Sequence, residues 1–158
     1  MAALVRIPST PSAPALVCAL RVPATMRSLI FLRHALAVTL HREAWPGESS
    51  SRMMLAAGEA VINAIEHGST SEGSVVVEIA LCGDHAHLSV TDTGRPDVPH
   101  PVVPADPTPP PPTSIRGRGL VIMRDLADTF EVETTANGTR VSMDFRRDCS
   151  DTESLAAR

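Results

Sequence analysis

Glu59-Ala60-Val61-Ile62-Asn63-Ala64-Ile65-Glu66-His67-Gly68 is the stretch on which the reading of this chain turns. Residues four apart share a helix face, so Glu59 and Asn63 point together, with His67 one further turn along. Met54, Gly58, Val61 and Ile65 form a neighbouring apolar face suited to a core. An oily face beside one carrying an acid and an amide describes a helix that roofs a site. The acid can accept a proton and the amide oxygen can ligate a hard cation, which is equipment for phosphoryl transfer. From this window alone, a merely solvated polar face is the competing reading.

Asp92 is the next informative residue. In the strand 86–92, period two places Ala86, Leu88, Val90 and Asp92 on one face and His87, Ser89 and Thr91 on the other. An inward carboxylate needs hydrogen-bond donors, and an adenine amino group could supply one. Thr93-Gly94 follows, a turn where backbone can approach a ligand closely. The alternative is an Asp that starts a turn by bonding its own backbone. Thr139 shares a face with Val141, Met143 and Phe145, so its hydroxyl is expected at the core edge, able to join Asp92; an ordinary strand threonine is the alternative.

The third element is Arg116-Gly117-Arg118-Gly119-Leu120-Val121-Ile122-Met123. Two glycines open an apolar helix, whose free N–H groups and positive dipole end suit phosphate. The Lys-Ser/Thr ending of a Walker loop is missing. No strand leads into the glycines and a third glycine is absent, which excludes a dinucleotide fingerprint.

Around these motifs the expected elements are a strand over 16–21 and a helix over 24–44 stopped by Pro46-Gly47. A helix over 52–67 follows, capped by Ser49–Ser51 and ended by Gly68. Strands at 75–81 and 86–92 flank a turn at Gly83-Asp84, and 117–128 reads as a helix. Strands at 130–135 and 139–145 form a hairpin across Asn137-Gly138. Nine prolines within residues 96–112 exclude helix and sheet interiors there. Hairpin-joined strands with helices gathered between them indicate an α+β two-layer sandwich with a mixed, mostly antiparallel sheet and helices on one face. The expected organisation is a disordered arm over 1–14, one domain over 15–147 and a flexible tail over 148–158.

Composition narrows the function classes. The formal charge of −4 argues against direct nucleic-acid binding. All 14 basic residues are Arg, which rules out a lysine phosphate clamp. Three scattered Cys without metal-ligand spacing fit a reducing cytoplasm. No apolar run reaches membrane-spanning length, and early prolines argue against a secretory signal.

Glu-x-x-x-Asn on a helix, Asp-x-Gly after a strand, Gly-x-Gly opening a helix and Gly-Thr on a late strand, in that order, resemble the ATP-binding (Bergerat, histidine-kinase-like) domain. Gyrase, chaperone ATPases, sensor histidine kinases and mismatch-repair ATPases share that domain. The size and the wording of 59–68 are similar to the bacterial anti-sigma-factor serine kinases, or switch-protein kinases, over about residues 16–146. The resemblance implies ATP and Mg2+ as cofactors. Glu59 then matches the general base and Asn63 the magnesium ligand. Asp92 matches the adenine-binding aspartate, with Gly94 closing that pocket and Thr139 supporting Asp92 through water. Gly117 and Gly119 match the phosphate side of the lid, with Arg116, Arg118 and Leu120 beside them, and His67 occupies a position that often faces nucleotide. Residues 95–116 fall where the family has its ATP lid. They are unusually rich in proline, and Asp92-Thr93-Gly94 runs into Arg95-Pro96 where several relatives carry a further glycine. The implied activity is transfer of the γ-phosphate to a serine of an antagonist (anti-anti-sigma) protein by a kinase that otherwise sequesters a sigma factor, in a form compatible with a homodimer. The alternative is a nucleotide-binding partner-switching regulator without turnover. A detached sensor-kinase ATP domain is a weaker reading, since no phosphoacceptor-helix region is present.

Overall fold

Five strands and three helices make up the computed structural model, which describes residues 15–68, 70, 72–94, 118–135 and 138–147. The expected arm, proline-rich segment and tail lie outside the described residues. In chain order the elements are β1 (Ala15–Pro23), α1 (Met26–Arg42), α2 (Gly47–Asn63), β2 (Ser74–Cys82), β3 (His85–Asp92), α3 (Gly119–Leu126), β4 (Thr129–Thr135) and β5 (Gly138–Arg146). A π-helical turn, Ala64–Gly68, continues α2. The sheet order is β1-β2-β3-β5-β4. Each pairing among the described residues is antiparallel, in line with the mostly antiparallel sheet expected, and no parallel pair occurs among them.

Alternation builds the two layers. Val75, Val77 and Ile79 of β2, Ala86, Leu88 and Val90 of β3, and Val141, Met143 and Phe145 of β5 are buried. They meet the Leu29, Leu32, Leu36 and Leu40 stripe of α1, Met53, Ala57, Ala60 and Val61 of α2, and Met123 of α3 in one core. Leu40, Met53, Leu88, Met123 and Phe145 are at most 1 % exposed, so truncating any of them to Ala should cost about 2–5 kcal/mol. The core stripe of α2 therefore centres on Met53, Ala57, Ala60 and Val61; Met54 and Ile65, expected on it, are half-buried at its margin.

The far side of the sheet is polar. Ser89 Oγ donates to Glu78 Oε2 at 3.2 Å and accepts from Arg140 Nη2 at 3.1 Å. His87 Nδ1 lies 2.7 Å from Asp144 Oδ1, and Thr129 Oγ1 donates to Asp144 Oδ2. Burial pushes the Asp144 carboxyl up, but the Thr129 hydrogen bond and the His87 ring outweigh it and hold the group below its ordinary value.

Boundaries moved where serines and glycines admit two uses. Ser50 Oγ donates to Trp45 O and Ser51 Oγ to Gly47 O, so these serines lie inside the first turns of α2, which starts at Gly47. No side-chain cap forms there. Serine hydroxyls can bond back to nearby carbonyls as well as cap N–H groups, and here they do the former. In the hairpin, Thr135 pairs with Gly138, which shifts the connection to residues 136–137 and makes Gly138 the first residue of β5. α1 ends with Trp45 N–H on Leu40 O and Ala44 N–H on His41 O, and Ala44 takes φ 53°. That pattern is a Schellman end with alanine in the left-handed position that glycine usually fills.

Candidate functional site

Period two puts Asp92 on the core side at the end of β3, and it is 5 % exposed. Its Oδ1 accepts the Gly94 N–H at 2.7 Å and the Thr139 N–H at 3.1 Å. The first is the local turn bond weighed as the alternative reading; Gly94, at φ 70°, makes that turn possible. The second ties β3 to β5. Among the described residues Oδ2 accepts no hydrogen bond. A buried carboxylate with one oxygen bonded twice by backbone and the other without a hydrogen bond among the described residues can accept from a further donor.

Two glycines complete the enclosure around Asp92, and the sequence reading gave them other work. A β-carbon on Gly68 would overlap Asp92 Oδ2 and Cγ, and one on Gly138 would overlap the Asp92 carbonyl oxygen. Gly138, at φ 134°, is strained for any side chain as well. The π-helical turn delivers Gly68: the extra residue in that turn redirects the chain just after Asn63. A helix-ending glycine gave no hint of this contact, because helical periodicity cannot foresee a wide turn. Thr139 reaches Asp92 through its backbone N–H rather than its hydroxyl, which makes no hydrogen bond among the described residues.

The other half of the site lies where α2 meets α3. Glu59 and Asn63 are half-buried, one turn apart. A β-carbon on Gly119 would stand 3.1 Å from both Glu59 Oε2 and Asn63 Nδ2, and 3.3 Å from Asn63 Oδ1. The opening residue of α3 is thus seated on the acid and amide together. Neither side chain makes a hydrogen bond among the described residues, so both remain available to a ligand. Arg118 is exposed at the α3 N-cap, and Leu120 is half-buried against the core.

Arg116 and Gly117 lie outside the described residues. His67 does not continue the Glu59–Asn63 line: its side chain is 62 % exposed and its Nε2 is 3.8 Å from Glu66 Oε2. Among the described residues, no group of three His, Cys, Asp or Glu side chains could hold a metal ion by itself.

The site arrangement can be set beside known proteins. The chain is similar to the RsbU and RsbW domains of Rv1364c from Mycobacterium tuberculosis, seen in a crystal structure. That match has a TM-score of 0.61 at 24% sequence identity, and covers 82% of this chain but 32% of that one. The chain thus spans about a third of that neighbour's length, and the likeness speaks to the fold. A search of curated proteins found no match. Among the described residues, no helix is long and apolar enough to cross a membrane. The family model described as a histidine kinase-like ATPase domain matches residues 22–145, from the end of β1 through β5 and across every motif above. The chain belongs to the histidine kinase-like ATPase domain family.

Proposed function

We propose that this chain binds ATP with its adenine at Asp92 and its phosphates at the opening of α3, transfers the terminal phosphoryl group to a serine of an antagonist protein, and in its other state holds a sigma factor. The observation that carries the reading is the seating of Gly119 on Glu59 and Asn63, one π-helical turn before Gly68, which lies against Asp92 Oδ2. An adenine amino group is a donor of the right kind for that oxygen. The wording of 59–68 and the likeness to a chain containing an RsbW domain support the partner-switching assignment.

The donor set also fits Mg2+, which needs few protein oxygens and keeps waters and phosphate oxygens. Asn63 would hold it, and when bound it would neutralise phosphate charge. Glu59 orients the incoming serine hydroxyl and takes its proton. The first N–H groups of α3, at the positive end of its dipole, and the Arg118 guanidinium stabilise charge on the phosphoryl oxygens. The resemblance assigns Gly117 and Arg116 to the same phosphate side. Gly94, Gly68 and Gly138 let the backbone close on the base, and Thr139 fixes the Asp92 rotamer from β5.

Radiolabelled ATP, Mg2+ and candidate antagonist proteins from the same genome test this directly. Label should appear on a serine of one antagonist, and Glu59→Gln should cut transfer by about 10²-fold while ATP affinity stays within about threefold. Transfer at the wild-type rate in that variant would remove Glu59 as the base. Wild-type protein that binds ATP and an antagonist yet labels none would establish the non-catalytic regulator instead.

A further inference from the structure

We infer that Arg52 is a positioning residue that sets where the first turn of α3 stands over Glu59 and Asn63. Arg52, Glu59 and Asn63 are spaced seven and four residues apart, about two turns and one turn, so they follow one side of α2. α3 runs antiparallel beside them. Its first residue, Gly119, sits on Glu59 and Asn63, and its last, Leu126, offers its carbonyl oxygen to Arg52 Nε at 3.2 Å. Seven residues separate both Gly119 from Leu126 and Arg52 from Glu59, a rise of about 10 Å on each helix. The short helix is therefore held at both ends by a stretch of α2 of its own length.

The far grip is more than a surface ion pair, which alone would contribute little. Arg52 donates to a carbonyl that a helix end leaves without an intrahelical partner, and places a cation at the negative end of the helix dipole. Its Nη2 also reaches Asp128 Oδ2 at 3.4 Å. Asp128 is itself anchored to β5: its Oδ2 accepts the Arg146 N–H at 2.6 Å, and its own N–H donates to Asp144 O at 2.8 Å. Arg52 thus ties α2 to a corner fixed on the sheet. Met123, fully buried in the middle of α3, is the pivot between the two ends. Releasing the Leu126 end lets α3 tilt about that pivot and carries Gly119 off Glu59 and Asn63. Asp92 lies on a different strand and is untouched.

The inference rests on the reading of this corner as the phosphate side of a nucleotide site. Its signature is a loss of triphosphate affinity with adenosine affinity spared. In the full chain, Arg52→Met should lower Mg-ATP affinity about fivefold or more by calorimetry, with adenosine affinity unchanged within about twofold. Arg52→Lys, which keeps the charge and one donor, should recover most of the loss. Should Arg52→Met not fold, Asp128→Asn loosens the same corner while keeping the acceptor for Arg146, and should give about a threefold loss for ATP alone. An unchanged ATP-to-adenosine ratio in the folded variants, or a parallel fall of both affinities, overturns the positioning role. Wild-type protein that binds neither ATP nor adenosine overturns the nucleotide reading and this inference with it.

Discussion

Asp92 and Glu59 are the two carboxylates of the candidate site, held in opposite ways. Asp92 is buried, clamped by two backbone N–H groups and boxed in by the α-carbons of Gly68 and Gly138. Glu59 is half-buried on the side of α2 that faces α3, with no hydrogen bond among the described residues and only the soft ends of side chains facing Gly119. The first end is made of backbone and cannot adjust; the second is made of rotamers and can. A recognition pocket gains from rigidity, because a misplaced acceptor there loses its hydrogen bond outright. A transfer site needs side chains free to follow a proton and a moving phosphoryl group.

The strongest way to break this contrast is Asp92→Asn. If Oδ2 is the adenine acceptor, exchanging it for an amide N–H sets donor against donor, and ATP affinity should fall at least about tenfold in a folded variant. Unchanged calorimetric affinity would remove Asp92 from the pocket. A paired test compares alanine at the two glycines. Gly68→Ala drives a methyl into a fixed carboxylate and should cost about 1–3 kcal/mol in chemical denaturation, with adenosine and ATP affinity both reduced. Gly119→Ala meets flexible side-chain ends at 3.1 Å, and alanine favours the helix by up to about 1 kcal/mol. Its stability should stay near wild type while ATP binding weakens more than adenosine binding. Equal effects at the two glycines would erase the distinction between rigid and adjustable ends.

The smallest effect is expected at Asp144, a carboxylate outside the site. Its folded pKa is lowered, so its contribution to stability is complete above the unfolded value and is lost as pH falls through the folded one. Denaturation midpoints of wild type and Asp144→Asn should differ at neutral pH and converge in acid below the ordinary carboxylate range. A gap that persisted or widened in acid would show that the charge of Asp144 is not what stabilises the outer sheet face.

What the sequence made legible follows from periodicity. Asp92 was placed inward by the alternation of Ala86, Leu88 and Val90, and Glu59 was paired with Asn63 by helical spacing; both placements agree with the backbone found. The strand and helix order was equally readable, because the apolar runs are bounded by Pro and Gly. Backbone use was hidden. Gly68 reads as a helix stop, and its contact with Asp92 depends on a π-helical turn that no spacing rule reveals. Thr139 invited attention to its hydroxyl, whereas its N–H makes the bond. Nothing in the sequence marks Arg52, since its partners Leu126 and Asp128 lie more than seventy residues away in the chain.

The bond from Thr139 to Asp92 also dictates when this site can come into being. β3 and β5 are neighbours in the sheet but distant in the chain: Asp92 and Thr139 are separated by 47 positions. Joining them closes a long loop, whose entropic cost must be met before the contacts reward it. During synthesis from the N-terminus, β1, β2, β3 and the helix α2 that carries Glu59 and Asn63 are all made before β5 emerges. Until then Asp92 has no second N–H donor and no Gly138 beside it. The Asp92 end of the candidate site is thus among the last features to be completed. A nucleotide that bound only the finished form would pull this late pairing forward by mass action, joining the two halves of the sheet.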